Sequence, residues 1–189
     1  NGSANVGFDV NVTLFSAGSM VATVPKTNPF EILWFTFDVG TGQETASFCP
    51  GDGSVLPCPC GMDAPVGSGV GCPNSTGRGA SIISHANTNF SWKLTLEDLP
   101  AFAPALTFLS VGVQAPAVVY GGISCLDSSA IRLPITTANA TGSSTTLTYV
   151  QNLPPAFAGQ TVYAQAGYRD SLAPPCHVNL TSGASFLLY

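Results

Sequence analysis

Charged residues are scarce in this chain of 189 residues, at 8% of the sequence with a formal net charge of −5. A soluble domain ordinarily carries about 25% charged residues. The five cationic residues are scattered rather than clustered: Lys26, Arg78, Lys93, Arg132 and Arg169. Because phosphate binding needs clustered lysine and arginine, we expect no nucleic-acid partner.

Long apolar runs and helical periodicity are also lacking. No stretch approaches the about 20 consecutive apolar residues that cross a bilayer as a helix, so we expect no membrane span. No window shows a convincing amphipathic period of about 3.6 residues, which argues against a helical fold.

Catalytic patterns are sparse as well. His85 and His177 are the only histidines, and neither lies in a nucleophile motif such as Gly-x-Ser-x-Gly. The acidic residues are dispersed, and no pair indicates a glycosidase couple. We therefore predict that the protein is not an enzyme and has no catalytic residues. Two roles stay open for Tyr168-Arg169-Asp170 at a strand end: structural pairing of the arginine and the aspartate with each other or with backbone, or a rim that contacts a ligand.

Cysteine, in contrast, is plentiful. The six cysteines are Cys49, Cys58, Cys60, Cys72, Cys125 and Cys176, and the first four lie in one loop rich in glycine and proline. An even number in such a loop predicts disulfides, an extracellular or cell-surface location and a leader that is removed. We expect Cys125 to pair with Cys176, and Cys49 and Cys72 each to pair with Cys58 or Cys60, in either order. A zinc site of four thiolates is the rival, but the spacing does not form two CxxC-like pairs.

The same loop carries two carboxylates, Asp52 and Asp63. They are candidate calcium ligands, although such a site needs six or more oxygens and no EF-hand is present. A tight turn at Asp52 is the favoured interpretation. We expect no metal site and no cofactor, with calcium as the alternative.

The glycosylation triplet Asn-x-Ser/Thr occurs unusually often in this chain. Ten asparagines would give about two Asn-x-Ser/Thr triplets by chance when about a fifth of the residues are Ser or Thr. Six such triplets occur, at Asn1, Asn11, Asn74, Asn89, Asn139 and Asn179. Because glycans would supply the solubility that the missing charges do not, we predict a glycoprotein.

The apolar residues alternate as in β-strands. In residues 5–15, Val6, Phe8, Val10, Val12 and Leu14 share one face. Further strands are predicted at 20–24, 30–39, 79–84, 90–96, 106–113, 117–120, 130–135, 145–151, 160–168 and 184–189, and the strand at 30–39 is apolar on both faces. The sequence therefore predicts an all-β, disulfide-stabilised antiparallel β-sandwich, immunoglobulin-like or jelly-roll-like, with extra N-terminal strands.

The chain also shows organisation on a larger scale. Residues 94–112 and 147–167 form a weak repeat, each a strand, a Leu-Pro connector with Phe-Ala, and a strand ending at glycine. Such units recur in sandwiches where the chain crosses between sheets. We predict N-terminal strands at 1–46, a disulfide loop at 47–78 and a β-sandwich at 79–189, packed as one compact unit.

Three motifs together point to a family: CPGDGS with CPCG and GCPNS, then GGISC with IRL, then YRD followed by a cysteine and NLTSG. This pattern resembles a cysteine-containing β domain of secreted and surface proteins in planctomycetes and related bacteria. The resemblance covers residues 48–189, and Met62 stands where the family usually has asparagine. It implies an extracellular, disulfide-stabilised β domain without recognised catalytic residues.

Two functions follow as expectations. The first is a structural subunit of an extracellular fibre or filament, in which copies of the chain join through β-strand contacts and residues 5–15 are the candidate donor strand. The alternative within this hypothesis is that residues 5–15 form the first strand of their own sandwich. The second function is a carbohydrate-binding or adhesive module, with Trp34, Trp92, Tyr120 and Tyr163 as candidate glycan contacts.

Overall fold

The computed structural model describes residues 11–14, 20–23, 46–87, 91–149, 152–173 and 175–188. The chain forms two compact units, Asn1–Thr41 and Gly42–Tyr189, where the sequence suggested one. The division comes before residue 46 because the strand Ala46–Phe48 already pairs with the last strand of the chain. The strand expected at residues 30–39 lies outside the described residues.

The first unit contains one described hairpin. Strand β1 (Asn11–Leu14) pairs antiparallel with β2 (Met20–Thr23), so that Leu14 lies opposite Met20. This agrees with the alternation that predicts strands at 5–15 and 20–24, and it gives β1 a partner in its own chain. Val6, Phe8 and Val10 lie outside the described residues.

The described part of the second unit contains twelve strands and the short 3-10 helix Pro155–Phe157. The strands are β3 (Ala46–Phe48), β4 (Ser81–Asn87), β5 (Ser91–Glu97), β6 (Pro104–Ser110), β7 (Val113–Val119), β8 (Gly122–Leu126), β9 (Ile131–Arg132), β10 (Thr136–Thr137), β11 (Ser144–Tyr149), β12 (Thr161–Arg169), β13 (Val178–Leu180) and β14 (Gly183–Leu187). All their pairings are antiparallel, which confirms the all-β prediction.

The strands of this unit form three sheets. A seven-stranded sheet has the order β10-β6-β12-β14-β3, with β13 also on β12 and β9 also on β6. A three-stranded sheet has the order β11-β5-β4, and β7 pairs with β8 in a separate hairpin.

The main core joins the three-stranded sheet to the seven-stranded one in a sandwich-like arrangement. Alternate residues of each strand face it, as the period of two requires. The Trp92 and Phe186 rings, from opposite sheets, have centroids 4.6 Å apart. Other members are Ile82, Leu94, Leu96, Leu109, Phe157, Val162 and Leu188. Such burial of apolar area is the main contribution to stability, at about 25 cal/mol per Å².

The weak sequence repeat corresponds to a real structural unit. In one copy the chain leaves β5 in the three-stranded sheet for β6 in the seven-stranded sheet, and in the other it leaves β11 for β12. The copies lie side by side, because β5 pairs with β11 and β6 with β12. The two copies differ at the phenylalanine of the connector. Phe157 is buried, whereas the equivalent Phe102 is exposed and has a left-handed backbone conformation with φ 61°.

Candidate functional site

The cysteine loop is braced by disulfides, as predicted, but with a different pairing. Cys49 bonds to Cys125, Cys58 to Cys72 and Cys60 to Cys176, with Cα–Cα distances of 6.0, 5.7 and 6.4 Å. The expected Cys125–Cys176 bond is therefore wrong, and so is the pairing of Cys49 within the loop. Cys58–Cys72 is one of the alternatives that the spacing left open. Three disulfides indicate an oxidising environment.

The disulfides form a second, smaller core. Cys49, Cys58 and Cys72 pack with Cys125 and Ile123 of β8. The loop folds tightly against itself, since a Cβ on Gly51 would overlap the backbone of Cys72. The loop, which has almost no regular structure, is thereby fixed to the hairpin β7–β8.

The two carboxylates of the loop serve backbone turns. Asp52 accepts hydrogen bonds from the Ser54 hydroxyl, the Gly67 N–H and the Ser54 N–H, and these bonds lower the pKa of Asp52. Asp63 accepts one from the Cys58 N–H at 2.7 Å. The turn role expected for Asp52 is thus confirmed. Within the described ranges, no group of three His, Cys, Asp or Glu residues is placed to hold a metal ion.

Two of the predicted glycosylation sites are incompatible with the fold. The Asn179 side chain is 2% exposed, and its amide donates to the carbonyl oxygens of Cys72 and Pro73 at 3.1 and 3.2 Å. The Asn74 side chain is also buried, with its amide donating to the Asp98 carbonyl oxygen at 2.7 Å. A glycan on either nitrogen would displace these bonds and could not be enclosed.

Among the other triplets, Asn139 is exposed and leaves its amide nitrogen free of any described hydrogen bond. It remains a candidate for glycosylation. Asn1 and Asn89 lie outside the described residues, and Asn11 starts β1, where its side chain is not described.

A turn motif accounts for part of the excess of Asn-x-Ser/Thr. In four triplets the backbone N–H and the hydroxyl of the third residue both donate to the side-chain oxygen of the first. The four begin at Asp52, Asn74, Asp127 and Asn139. Asparagine and aspartate favour such turns because their side-chain oxygen accepts the hydrogen bond of a backbone N–H two residues on, as a backbone carbonyl would in an ordinary turn.

Tyr168-Arg169-Asp170 is separated by the fold. Tyr168 points into the core, where burial raises the pKa of its phenol despite a hydrogen bond from Asn74, and nearby Asp170 raises it further. Asp170 is fully buried and accepts the Ser75 N–H at 2.6 Å. Arg169 points outward and forms no ion pair with Asp170, so of the first expected role only the pairing of Asp170 with backbone is confirmed.

Arg169 contributes to an apolar groove between the outer face of the seven-stranded sheet and the hairpin β7–β8. The groove has a volume of about 460 Å³. Leu106 and Phe108 of β6 line it from the sheet, and Val119 and Leu126 line it from the hairpin.

Gln165 holds the hairpin against the sheet. Its amide donates to the carbonyl oxygens of Ile123 and Thr181 at 2.7 and 2.9 Å, and its side-chain oxygen accepts the Cys125 N–H at 3.3 Å. No sequence pattern points to this role, because the partners of Gln165 are 16 to 42 residues away.

The candidate glycan-contacting aromatics are dispersed. Trp92 is buried in the core, Tyr163 is half-buried against Phe48, and Trp34 lies outside the described residues. Tyr120, 73% exposed with φ 53°, forms the tip of the hairpin β7–β8 beside the groove. The three described aromatics do not form the row of stacking platforms that a carbohydrate site would use.

The sheet edges differ in how well they are protected. Strands β4 and β11 pair only with β5 among the described residues, and they contain no proline and no Lys, Arg, Asp or Glu. Strand β7 carries Pro116 and a register shift between Val113 and Ala117. The edge strands β3 and β10 have three and two residues. Proline, bulges and short strands protect a sheet edge from pairing with another chain.

Comparison with known proteins gives no match: no family model, no curated protein and no solved structure is similar to this chain. Among the helical residues that the structure describes, none belongs to a helix long and apolar enough to cross a membrane.

Proposed function

We propose that the chain is a non-enzymatic structural protein of the extracellular space or cell surface, whose copies assemble into a fibre through β-strand contacts. The observation that carries this proposal is the pair of unprotected edges on the three-stranded sheet. Strand β11 offers six residues of backbone for pairing, and β4 offers those on either side of Ser84, which already has a partner. Every other described edge of the second unit is short or blocked.

The physical basis is strand addition. An incoming strand gains affinity from main-chain hydrogen bonds, and alternate side chains set its register. If each copy both donates and accepts, the contact is head-to-tail and gives an open filament. The scarcity of charge supports this, because like charges that would repel neighbouring copies are few.

The candidate donor is still the segment 5–15. Its residues Asn11–Leu14 form β1, which pairs on one edge with β2 and has no second partner strand among the described residues. Val12 and Leu14 would fill pockets on the accepting sheet together with Val6, Phe8 and Val10. A carbohydrate-binding role and membership of the planctomycete family remain sequence-based predictions.

Three lysine substitutions test the accepting edges. Ile83→Lys on β4 and Thr145→Lys on β11 each place a charge on an open edge. Val118→Lys on β7 is the matched control, since it adds the same charge to an exposed position on an edge that Pro116 already interrupts. We expect Ile83→Lys or Thr145→Lys to raise the concentration needed for assembly about tenfold, equivalent to about 1.4 kcal/mol per contact.

The measurement is sedimentation velocity over a concentration series, with near-ultraviolet circular dichroism to verify that each variant folds. Assembly of both edge variants at the same concentration as Val118→Lys would exclude strand addition at this sheet. Deleting residues 1–15 tests the donor. All six cysteines lie in the second unit, so the truncated chain should still form three disulfides yet stay monomeric.

A further inference from the structure

We propose that the groove between the hairpin β7–β8 and the seven-stranded sheet binds a small apolar molecule with one anionic group, such as a medium-chain carboxylate. This site is separate from the sheet edges that the proposed assembly uses. Its volume of about 460 Å³ lies within the range of about 300–1,000 Å³ that is usual for small-molecule sites.

The walls of the groove suit an alkyl chain. Leu106 and Phe108 project from β6 on the face opposite the main core, since their neighbours Ala105, Thr107 and Leu109 point inward and are buried. Ile135 lines the same groove although it is 71% exposed. A ligand that covered these groups would remove apolar area from water, at about 25 cal/mol per Å².

The charges of the groove specify an anion. Arg132 and Arg169 both line it, and neither forms an ion pair with any residue that the structure describes. The Arg132 guanidinium lies 5.9 Å from the centre of the Phe108 ring, so it is held over the apolar floor. A guanidinium presents a planar fork of donors that matches a carboxylate.

Asp127, the acidic residue among the described lining residues, forms no ion pair with these arginines. The carboxylate of Asp127 accepts hydrogen bonds from the Ser110 and Ser129 hydroxyls, both at 2.6 Å, and from the Ser129 N–H. The chain as a whole is acidic at −5, and Arg132 and Arg169 are two of its five cationic residues.

The groove is also preformed. Gln165 and the Cys49–Cys125 disulfide fix strand β8, which carries the wall residues Ser124 and Leu126. Little conformational entropy is therefore lost when a ligand enters, which favours binding.

Isothermal titration calorimetry with decanoate and with 1-decanol, its uncharged analogue, tests the proposal. We expect decanoate to bind at one site per chain, and 1-decanol to bind at least about tenfold more weakly, because it lacks the charge-assisted hydrogen bonds. Arg132→Gln or Arg169→Gln, whichever removes the guanidinium that holds the carboxylate, should weaken decanoate binding about tenfold. Both arginines are exposed, so neither change should disturb folding.

Two controls make the result specific to the groove. Lys93→Gln removes the same charge from an exposed site on β5, in the other sheet, and should leave the affinity for decanoate unchanged. Leu106→Trp should fill the groove and block decanoate, with thermal unfolding verifying the fold. The proposal is overturned if decanoate does not bind, if 1-decanol binds equally well, or if Arg132→Gln and Arg169→Gln bind decanoate like Lys93→Gln.

Discussion

At the scale of single residues, short polar side chains hold the irregular parts of this protein together. Asp127 illustrates this: hydrogen bonds from the Ser110 and Ser129 hydroxyls hold the pKa of its carboxyl below the ordinary 3.8. A lowered pKa in the folded state contributes stability that is complete above pH 3.8 and is lost as the pH falls through the folded-state pKa.

Asp127→Asn should therefore change how the free energy of unfolding depends on pH. The amide keeps an oxygen for the same turn but does not titrate. We expect the free energy of unfolding of the unmodified chain to fall more steeply than that of Asp127→Asn between about pH 5 and about pH 2. Urea unfolding across this range measures both slopes, and parallel curves would contradict the assigned role.

The triplets that resemble glycosylation sites give a second residue-scale prediction. After secretion from a glycosylating host, we expect a glycan at Asn139 and none at Asn74 or Asn179, whose amides are buried and bonded. Asn179→Gln should instead destabilise the fold by about 1–3 kcal/mol, because the longer side chain leaves buried carbonyls unsatisfied. Intact-mass and peptide mapping would decide the sites, and a glycan on Asn179 would refute the described burial.

At the scale of elements, long alternating strands could be predicted and short covered ones could not. The predictions at 79–84 and 90–96 correspond to β4 and β5, whose alternate residues face the core. The predicted strand 106–113 was too long, since it included the turn between β6 and β7. The apolar Val111 and Val113 continued the strand pattern in the sequence, but both are exposed in the structure. Strands β3, β8 and β13 have three to five residues and no clear alternation, so the sequence offered no pattern for them.

The disulfides were predictable in number but not in pairing. Cys49–Cys125 and Cys60–Cys176 join residues 76 and 116 positions apart, and only the packing of β8 and β13 against the loop brings them together. The groove is likewise assembled from strands that are distant in sequence. Arg169 was expected at a strand end and Arg132 stands in the IRL motif, but no pattern placed the two on one groove, and Gln165 lies in none of the three motifs.

The three disulfides should differ in their resistance to reduction. Cys60 is exposed and Cys176 is half-buried, whereas the four cysteines of the other two bonds are buried. Because thiol–disulfide exchange depends on access, we expect Cys60–Cys176 to be reduced about tenfold faster than the others by a mild thiol. Alkylation of the freed thiols and peptide mapping over time measure the order in which the three disulfides are reduced. Simultaneous reduction of all three would contradict the expected order.

At the scale of the whole molecule, the protein combines a rigidly braced β unit with sheet edges that lack the usual protection. Native proteins ordinarily block such edges. Among the described residues this chain does so at β7 with Pro116, whereas β4 and β11 contain no proline and no Lys, Arg, Asp or Glu. The central claim is that copies of the chain satisfy these edges in an extracellular fibre.

Negative-stain electron microscopy of the oxidised full-length chain, over a rising concentration series, tests this claim most directly. The account predicts unbranched filaments of uniform width that shorten or vanish in Thr145→Lys but persist in the control Val118→Lys. Monodisperse particles the size of one chain at every concentration would contradict it.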